Sequence, residues 1–211
     1  MFTLNELLLF AAAALVLVLT PGPNMVYCVS RSLTQGPRAG LLSLAGVVLG
    51  FLMHLFAAAL GLTALLLAVP MTFDVIRIAG ALYLLWMAWQ AVRPGGAAPF
   101  QARALPHDGA RKLFLMGLVT NLLNPKVAVF YLAFFPQFLH PERGSVLAQS
   151  LLLGAIQIVV SAGINALLVL FAGRVSGFLN RSPRWINAQR YLMGSVLGLL
   201  ALRILNEKQP A

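Results

Sequence analysis

One charged side chain lies inside a long apolar stretch and is the first candidate for chemistry. Lys126 follows Asn124 and Pro125 near the middle of the apolar stretch 113–138. If that stretch crosses a bilayer, a charge at its centre is costly and predicts a functional site. No Asp or Glu stands in the middle of an apolar stretch to neutralise the ammonium, so we expect an anionic group such as a carboxylate to bind there. The alternative is that Lys126 only donates hydrogen bonds to carbonyls freed by the break at Pro125.

Helix-breaking residues interrupt two apolar stretches, one in each half of the chain. The first break is Thr20-Pro21-Gly22-Pro23-Asn24, and the second is Thr120-Asn121-Leu122-Leu123-Asn124-Pro125-Lys126. Backbone groups left unpaired by such breaks are tolerated at membrane depth only inside protein or around a water-filled cavity. Paired breaks therefore indicate the substrate site of a transporter, and the alternative is a simple kink that fits a neighbouring helix. The predicted site contains Lys126, Asn24, Asn124, Pro21, Gly22, Pro23, Pro125 and Asn121.

The asparagines beside the breaks have two roles open to them. Asn24 and Asn124 either bind a ligand or satisfy loose backbone groups, whereas the structural role is favoured for Asn121. The prolines and Gly22 would shape the site and expose helix ends, whose dipoles attract charged groups.

A second set of polar residues lies on helical faces away from the breaks. Gln157, Ser161 and Asn165 are spaced i, i+4 and i+8, which places them on one face of a helix. This stripe either lines a polar path or forms interhelical hydrogen bonds. His54 either relays protons or, as is commoner, stays neutral and hydrogen-bonded across helices. The candidates for a proton relay or polar path are His54, Gln157, Ser161, Asn165 and Tyr83.

The composition is that of an integral membrane protein. Hydrophobic residues make up 60% of the chain and charged residues 9%, and the mean hydropathy is +0.88, whereas soluble domains carry about 25% charged residues. The net charge of +10 is interpreted as basic loops against an anionic lipid leaflet. No basic run with interleaved aromatics is present, so we expect no nucleic-acid partner. The single cysteine, Cys28, excludes an internal disulfide and a cysteine-cluster metal site, and we expect no metal or cofactor.

Six apolar segments divide into two groups of three, separated by a linker rich in Gly, Pro, Ala and Arg. We therefore predict an all-α integral membrane protein with six transmembrane helices, of which helices 1 and 4 are broken. Because three is an odd number, the second half enters the bilayer from the opposite side, which makes a 3+3 repeat inverted. The predicted units are a first three-helix repeat (1–92), a cytoplasmic linker (93–112) and a second three-helix repeat (113–211). The segments are 7–29, 39–69, 71–92, 113–138, 146–172 and 185–205.

The basic residues predict an orientation. They concentrate in the loops that follow the first, third and fifth segments, and these loops should face the cytoplasm by the positive-inside rule. Both termini then lie outside if all six segments span, and on opposite sides if one segment dips in and returns. The basic residues of the three loops are Arg31, Arg38, Arg93, Arg103, Arg111, Lys112, Arg174, Arg181, Arg184 and Arg190.

Three classes of function compete with that of a transporter. An enzyme is not expected, because the chain has no HExxH, no GxSxG and no acidic pair. A passive channel or ion-conducting pore, with the breaks forming a filter, is the alternative to a transporter, and counter-gradient accumulation separates the two. A membrane scaffold that transports nothing is the third class, and it would tolerate Lys126→Ala.

The motifs in their order resemble the LysE/RhtB amino-acid exporters over nearly the whole chain, from about Leu7 to about Leu205. The resemblance implies a small inner-membrane exporter of amino acids or related metabolites, driven by the proton-motive force and working as a homo-oligomer in the lipid of a bacterial cell. It is carried by Leu19-Thr20-Pro21-Gly22-Pro23-Asn24, Gly36, Gly40, Gly46-Val47-Val48-Leu49-Gly50, His54, Gly61-Leu62, Gly80-Ala81-Leu82-Tyr83-Leu84, Phe114, Gly117, Asn121, Asn124-Pro125-Lys126 and Phe135-Pro136-Gln137-Phe138.

One departure from the family pattern bears on the substrate. Exporters of basic amino acids in this family often have an aspartate just after the second-segment glycine, where this chain has Phe51. A cationic side chain would find no carboxylate at mid-membrane and would be repelled by Lys126. We therefore expect neutral substrates such as homoserine, threonine, leucine or another aliphatic amino acid. The same absence leaves His54, Lys126 or the substrate itself to carry the coupled proton.

Overall fold

The computed structural model describes residues 2–20, 22–68, 70–93 and 106–174, together with single positions between 191 and 205. Every regular element in these ranges is helical, so the all-α prediction is confirmed for the described part of the chain. The single positions are 191, 194, 195, 198, 199, 201, 202 and 205; all are helical and lie in the sixth predicted segment. The α-helices are α1 (Leu4–Leu19), α2 (Pro23–Gln35), α3 (Pro37–Ala68), α4 (Pro70–Val92), α5 (Ala110–Leu122), α6 (Pro125–Val129) and α7 (Val146–Leu170).

Short non-α helices follow the second break. A π-helical segment, Phe130–Phe134, continues α6, and 3₁₀ turns follow at Phe135–Phe138 and Pro141–Arg143. The helix that follows the second break is therefore wider than an α-helix at Phe130–Phe134 and narrower at Phe135–Phe138. π-Helical turns inside α-helices are frequent at functional sites.

Helix starts and stops follow local chemistry. Thr3 caps α1 in a capping box with Glu6, in which each side chain bonds the other residue's backbone N–H. α1 ends at Leu19 because the following Pro21 has no N–H to donate, whereas proline is favourable at the first position of α2. Gly36 separates α2 from α3 with φ +88°, a conformation that glycine adopts without strain.

Two described helices are long and apolar enough to cross a bilayer, and the number rises to four if each bent pair forms one span. The two are Pro37–Gly61 and Val146–Leu170. The bent pairs lie at the predicted breaks: α1 and α2 differ in direction by 56°, and α5 and the helix Pro125–Phe138 by 47°. The membrane-helix character is thus confirmed, while the six-helix inverted repeat and the division at 93–112 stay predictions.

α3 is the central helix and packs against α5, α7 and α2, while α1 packs against α7. α3 and α5 approach closely because glycines lie where they meet. A Cβ at Gly46 would overlap the Phe114 carbonyl oxygen, and a Cβ at Gly117 would overlap the Ser43 carbonyl oxygen. Gly46 and Gly50 are four residues apart, a spacing that lets another helix approach closely, and that helix is α5.

An aromatic cluster joins α1 to the helix of the second break. The ring of Phe10 in α1 is buried and lies edge-on to Phe138, with centroids 5.1 Å apart. It also contacts Phe130 and Phe135, each with centroids 6.0 Å away. This packing brings the first broken helix alongside the second.

Arg31 ends in a buried ion pair instead of lying free at the surface. Its Nη2 lies 2.6 Å from Oδ2 of Asp108, and both side chains are less than a tenth exposed. Gln35 donates to the Asp108 carbonyl oxygen at 3.0 Å. The end of the predicted linker is thereby attached to the C-terminal end of α2, and α5 begins at Ala110, earlier than the apolar pattern indicates.

Candidate functional site

The first break leaves backbone carbonyls without helical partners. Thr20 is buried, and both its N–H and its hydroxyl donate to the Val16 carbonyl oxygen, at 3.1 and 2.9 Å. The carbonyl of Leu17 has no helical donor because residue 21 is proline. Gly22 is extended, with φ −157° and ψ 179°, so the ladder of α1 does not continue through Thr20. Two carbonyls at the C-terminal end of α1 therefore need other donors.

The second break is organised by Asn124. Its Oδ1 accepts from the backbone N–H of Lys126 at 3.0 Å, which makes it the N-cap of α6, and its own N–H donates to the Asn121 carbonyl oxygen at 3.0 Å. Pro125 occupies the first position of α6, where proline is tolerated. The cap holds the backbone of Lys126 in one orientation.

Lys126 connects the two breaks. Its Nζ donates to the carbonyl oxygens of Leu17 at 3.0 Å and Thr20 at 2.7 Å, and the residue is only 7% exposed. The side chain reaches these atoms across Gly22, where an added Cβ would lie 3.0 Å from Nζ. The carbonyls that accept from Lys126 are those freed by the first break, not those of the Pro125 break. Among the side chains that the structure describes, no carboxylate pairs with Lys126.

The position of the ammonium is electrostatically favourable. The C-terminal end of an α-helix carries a partial negative charge, and a cation there is stabilised. An ammonium has three donors, and the two carbonyls at the end of α1 account for two of them. Among the residues that the structure describes, one N–H of Lys126 is therefore left for a further acceptor.

Three buried asparagines surround the breaks and carry polar atoms with no hydrogen-bond partner in the described part of the chain. Asn24, Asn121 and Asn124 are 6%, 0% and 1% exposed. The atoms concerned are Oδ1 of Asn24, both amide atoms of Asn121 and Nδ2 of Asn124. Leaving a buried polar atom unpaired costs about 1–3 kcal/mol. Asn121 packs against Gly50, where a Cβ would lie 2.6 Å from Oδ1 of Asn121.

The remaining residues of the predicted site are the prolines and the glycine of the breaks. Pro21 lies outside the described residues. Pro23 begins α2 and Pro125 begins α6, and both are exposed, so they form the breaks without lining a buried surface. Gly22 is the exception, because its missing side chain gives Lys126 its path.

A chain of polar contacts leads from the second break into α7. Nε2 of His54 lies 3.4 Å from the Asn121 carbonyl oxygen, and the His54 ring stacks on Tyr131 with centroids 5.8 Å apart and an angle of 9°. The Tyr131 hydroxyl donates to Oε1 of Gln157 at 2.7 Å. Nε2 of Gln157 donates to Oγ of Ser161 at 2.9 Å. The contacts therefore alternate between α3, the π-helical segment and α7.

The polar stripe of α7 faces the interior of the bundle. Gln157, Ser161 and Asn165 are 1%, 1% and 3% exposed, and Nδ2 of Asn165 donates to the Ser161 carbonyl oxygen at 2.8 Å. The bond from Tyr131 to Gln157 supports the role in interhelical hydrogen bonding. Oδ1 of Asn165 has no partner among the described residues, which supports the role in a polar path.

Tyr131, and not the predicted Tyr83, takes part in the described chain of polar contacts. Tyr83 in α4 packs against Trp86, with ring centroids 5.4 Å apart, and none of the described contacts joins it to the polar chain. Tyr131 was not predicted as a site residue. It stands among phenylalanines in Phe130-Tyr131-Leu132-Ala133-Phe134, a pattern typical of core packing. In the sequence, only its hydroxyl group distinguishes Tyr131 from the core phenylalanines beside it.

Apolar helices, paired breaks and a buried lysine that joins them are typical of membrane transport proteins. The chain belongs to the LysE type translocator family, whose model matches residues 15–208. It is 32% identical over 184 residues to a homoserine/homoserine lactone efflux protein of Salmonella typhimurium, covering 87% of this chain and 88% of the relative. It is 27% identical over 205 residues to a leucine efflux protein of Enterobacter sp. (strain 638), covering 92% of each. A relative from Vibrio cholerae, named an uncharacterized membrane protein, is 30% identical and covers 90% of this chain and 91% of its own.

The resemblance inferred from the motifs is thus confirmed, and so is the expectation of an amino-acid efflux transporter instead of an enzyme. No solved structure matches the chain significantly.

Proposed function

We propose that this protein is a secondary-active exporter of neutral amino acids or related small metabolites across the bacterial inner membrane, driven by the proton-motive force. The observation that carries the proposal is the buried ammonium of Lys126, which joins the ends of two broken helices. A scaffold has no need of a buried cation whose third donor has no described acceptor. The names of the relatives, homoserine/homoserine lactone efflux protein and leucine efflux protein, support neutral side chains.

The substrate's carboxylate is held where α1 ends and α2 begins. The first intrahelical bond of α2 is donated by Val26 to the Gly22 carbonyl oxygen at 3.0 Å, so the N–H groups of Asn24 and Met25 precede the ladder. Helix N-termini bind anions through such groups. Together with the third N–H of Lys126 they form a donor set for a carboxylate.

The asparagines divide the substrate's two charged groups between them. Asn124 uses Oδ1 to cap α6 and is left with a donor, Nδ2, which suits the carboxylate. Oδ1 of Asn24 and Oδ1 of Asn121 are acceptors without described partners, and they suit the amino group. Asn121 thereby gains a binding role in addition to its contact with Gly50.

The preference for neutral side chains rests on charge. Phe51 is 4% exposed and belongs to the apolar core around α3. The carboxylate side chains that the structure describes are those of Glu6 in the first turn of α1, Asp108 before α5 and Glu142 in the 3₁₀ turn Pro141–Arg143. Asp74 belongs to the first turns of α4. A lysine or arginine substrate would bring a second cation beside Lys126 with no counter-ion.

Proton coupling is proposed to use the polar contacts between His54 and Gln157. Tyr131 donates to Gln157 at 2.7 Å and Gln157 donates to Ser161 at 2.9 Å, whereas His54 meets Tyr131 by ring stacking and not by a hydrogen bond. The proposed route therefore requires a water or a substrate group to carry the proton between His54 and Tyr131. Alternating access would come from one three-helix half rocking against the other around the breaks. A homo-oligomer in the lipid bilayer is the proposed working form.

The test is counter-gradient export in proteoliposomes that contain the purified protein. The vesicles are loaded with one labelled amino acid at a time, and its movement across the membrane is followed with and without an imposed pH gradient. The amino acids are leucine, homoserine, threonine, lysine and arginine. Wild type is compared with Lys126→Ala and with the matched control Lys112→Ala, whose side chain is 62% exposed. We expect gradient-accelerated movement of neutral amino acids, lost in Lys126→Ala and retained in Lys112→Ala.

Other outcomes point to other functions. Movement that only equalises concentrations would indicate a passive channel, since a channel cannot accumulate its substrate. Preference for lysine or arginine would contradict the argument from Phe51. Equal activity of wild type and Lys126→Ala would remove Lys126 from the substrate site.

A further inference from the structure

Two backbone carbonyls converge on a single cation at the first break. The oxygens of Leu17 and Thr20 lie 3.0 and 2.7 Å from the same Nζ. Neither carbonyl has a donor in the ladder of α1, because Pro21 cannot donate and Gly22 is extended. Carbonyls of this kind at the C-terminal ends of broken helices are ligands for small cations in secondary transporters. The cation here is a side chain of the protein itself.

We propose that the Lys126 ammonium is a built-in replacement for a coupling metal cation, occupying a carbonyl site formed by Leu17 and Thr20. Export by this chain therefore requires no Na⁺ or other alkali cation. Removal of the ammonium opens a site that a small free cation can enter. The inference on transport rests on the proposed function, whereas the inference on cation binding does not.

The way Lys126 is anchored supports a permanent cation. Asn124 caps the backbone at Lys126, which fixes where the side chain starts. Gly22 leaves room for the side chain, since a Cβ there would lie 3.1 Å from Cε and 3.0 Å from Nζ. A tethered group has a high effective concentration at its site, so a free cation does not displace it.

The site also explains why the breaks stay together. Without a cation, two buried carbonyls at the negative end of α1 would lose their partners. With Lys126 in place, the end of α1 is bonded to the start of α6, so that the cation connects the two halves of the chain. In a transporter that binds Na⁺, a free ion makes this kind of connection only when it is bound.

The first experiment measures cation binding by thermal unfolding of the full-length protein in detergent. Wild type, Lys126→Ala and Lys126→Met are melted in methylammonium chloride, NaCl or choline chloride at equal ionic strength. We expect the melting midpoint of Lys126→Ala to rise in methylammonium or NaCl relative to choline chloride. Wild type should show no such difference, because its site is filled. Lys126→Met should show none either, because the longer apolar chain fills the space.

A uniform response of all three proteins would overturn the proposal, since a salt effect does not depend on the site. If Lys126→Ala does not fold in choline chloride, its yield of folded protein is compared after purification in methylammonium chloride. The added ammonium should then restore folding, because it supplies donors to the Leu17 and Thr20 carbonyls. Equal yields in the two salts would count against the proposal.

The second experiment compares wild-type export in NaCl with export in choline chloride, both under the same pH gradient. We expect equal rates. A rate that falls several-fold without Na⁺ would overturn the built-in cation and leave the exporter standing. Absence of any export, combined with the cation-dependent midpoint of Lys126→Ala, would overturn the proposed function and leave the cation site standing.

Discussion

The contact between α3 and α5 gives the sharpest stability prediction, through Gly46→Ala. A Cβ at Gly46 would overlap the Phe114 carbonyl oxygen and lie 2.8 Å from the Leu118 nitrogen. Both atoms belong to the backbone of α5, so no side-chain rotation relieves the overlap. The two helices must separate, which also loosens the approach of Gly117 to Ser43.

The magnitude follows from two opposing effects. Replacing glycine by alanine inside a helix gains up to about 1 kcal/mol of helix propensity. Overpacking costs about 1–3 kcal/mol, and backbone contacts lie at the upper end. We expect Gly46→Ala to be destabilised by about 1–2 kcal/mol, which lowers the melting midpoint by about 2–8 °C for a chain of this size.

The matched control is Gly163→Ala in α7. Gly163 is also inside a long helix, but it is exposed and a Cβ there would meet nothing within 4 Å. This variant should melt at or above the wild-type midpoint. Thermal unfolding in detergent, followed by circular dichroism, measures both variants. If Gly46→Ala melts at the same temperature as Gly163→Ala, the close approach of α3 and α5 is refuted.

Three further predictions concern single polar groups. Tyr131→Phe removes the hydroxyl that donates to Oε1 of Gln157 at 2.7 Å and should lower stability by about 1–3 kcal/mol, because a buried acceptor loses its donor; denaturant unfolding measures it. Asn124→Ala removes the cap of α6 and should cost about 0.5–2 kcal/mol, also by denaturant unfolding. The hydrogen bond from Lys112 lowers the pKa of Asp108 below its usual range, and the charge of Arg31 lowers this pKa further. Because the folded pKa is depressed, this stabilisation is present above pH about 4 and is lost as the pH falls through the folded value; melting midpoints of wild type and Asp108→Asn, measured against pH, should converge in acid.

Each of these has its own control or contrary result. Asn124→Asp keeps an acceptor for the Lys126 N–H and should retain the cap, so equal losses in both variants would argue against capping. Tyr131→Phe keeps the ring that stacks on His54, so an unchanged stability would mean that the bond to Gln157 contributes little. Parallel pH curves for wild type and Asp108→Asn would show that another group titrates.

The local chemistry of the chain is readable without a structure. Both breaks were predicted from proline and glycine, because these residues determine whether a backbone N–H exists and whether a helix can continue. The shared face of Gln157, Ser161 and Asn165 also followed from helical spacing alone, and the structure shows all three side chains buried. These inferences use distances along one helix, where sequence separation determines position.

The partners across helices were decided only by the tertiary structure. The alternative role for Lys126 placed its hydrogen bonds at its own break, but they go to the Leu17 and Thr20 carbonyls at the other break, more than a hundred residues away. In the sequence Tyr131 looks like one more core aromatic residue. The structure shows that its hydroxyl, in the π-helical segment, donates to Gln157 in α7. Spacing along the chain indicates which residues share a face, but which helix covers that face depends on packing between distant segments. For that reason the sequence by itself determined where the helices break and which polar residues lie at the breaks, and the fold determined which atoms meet there.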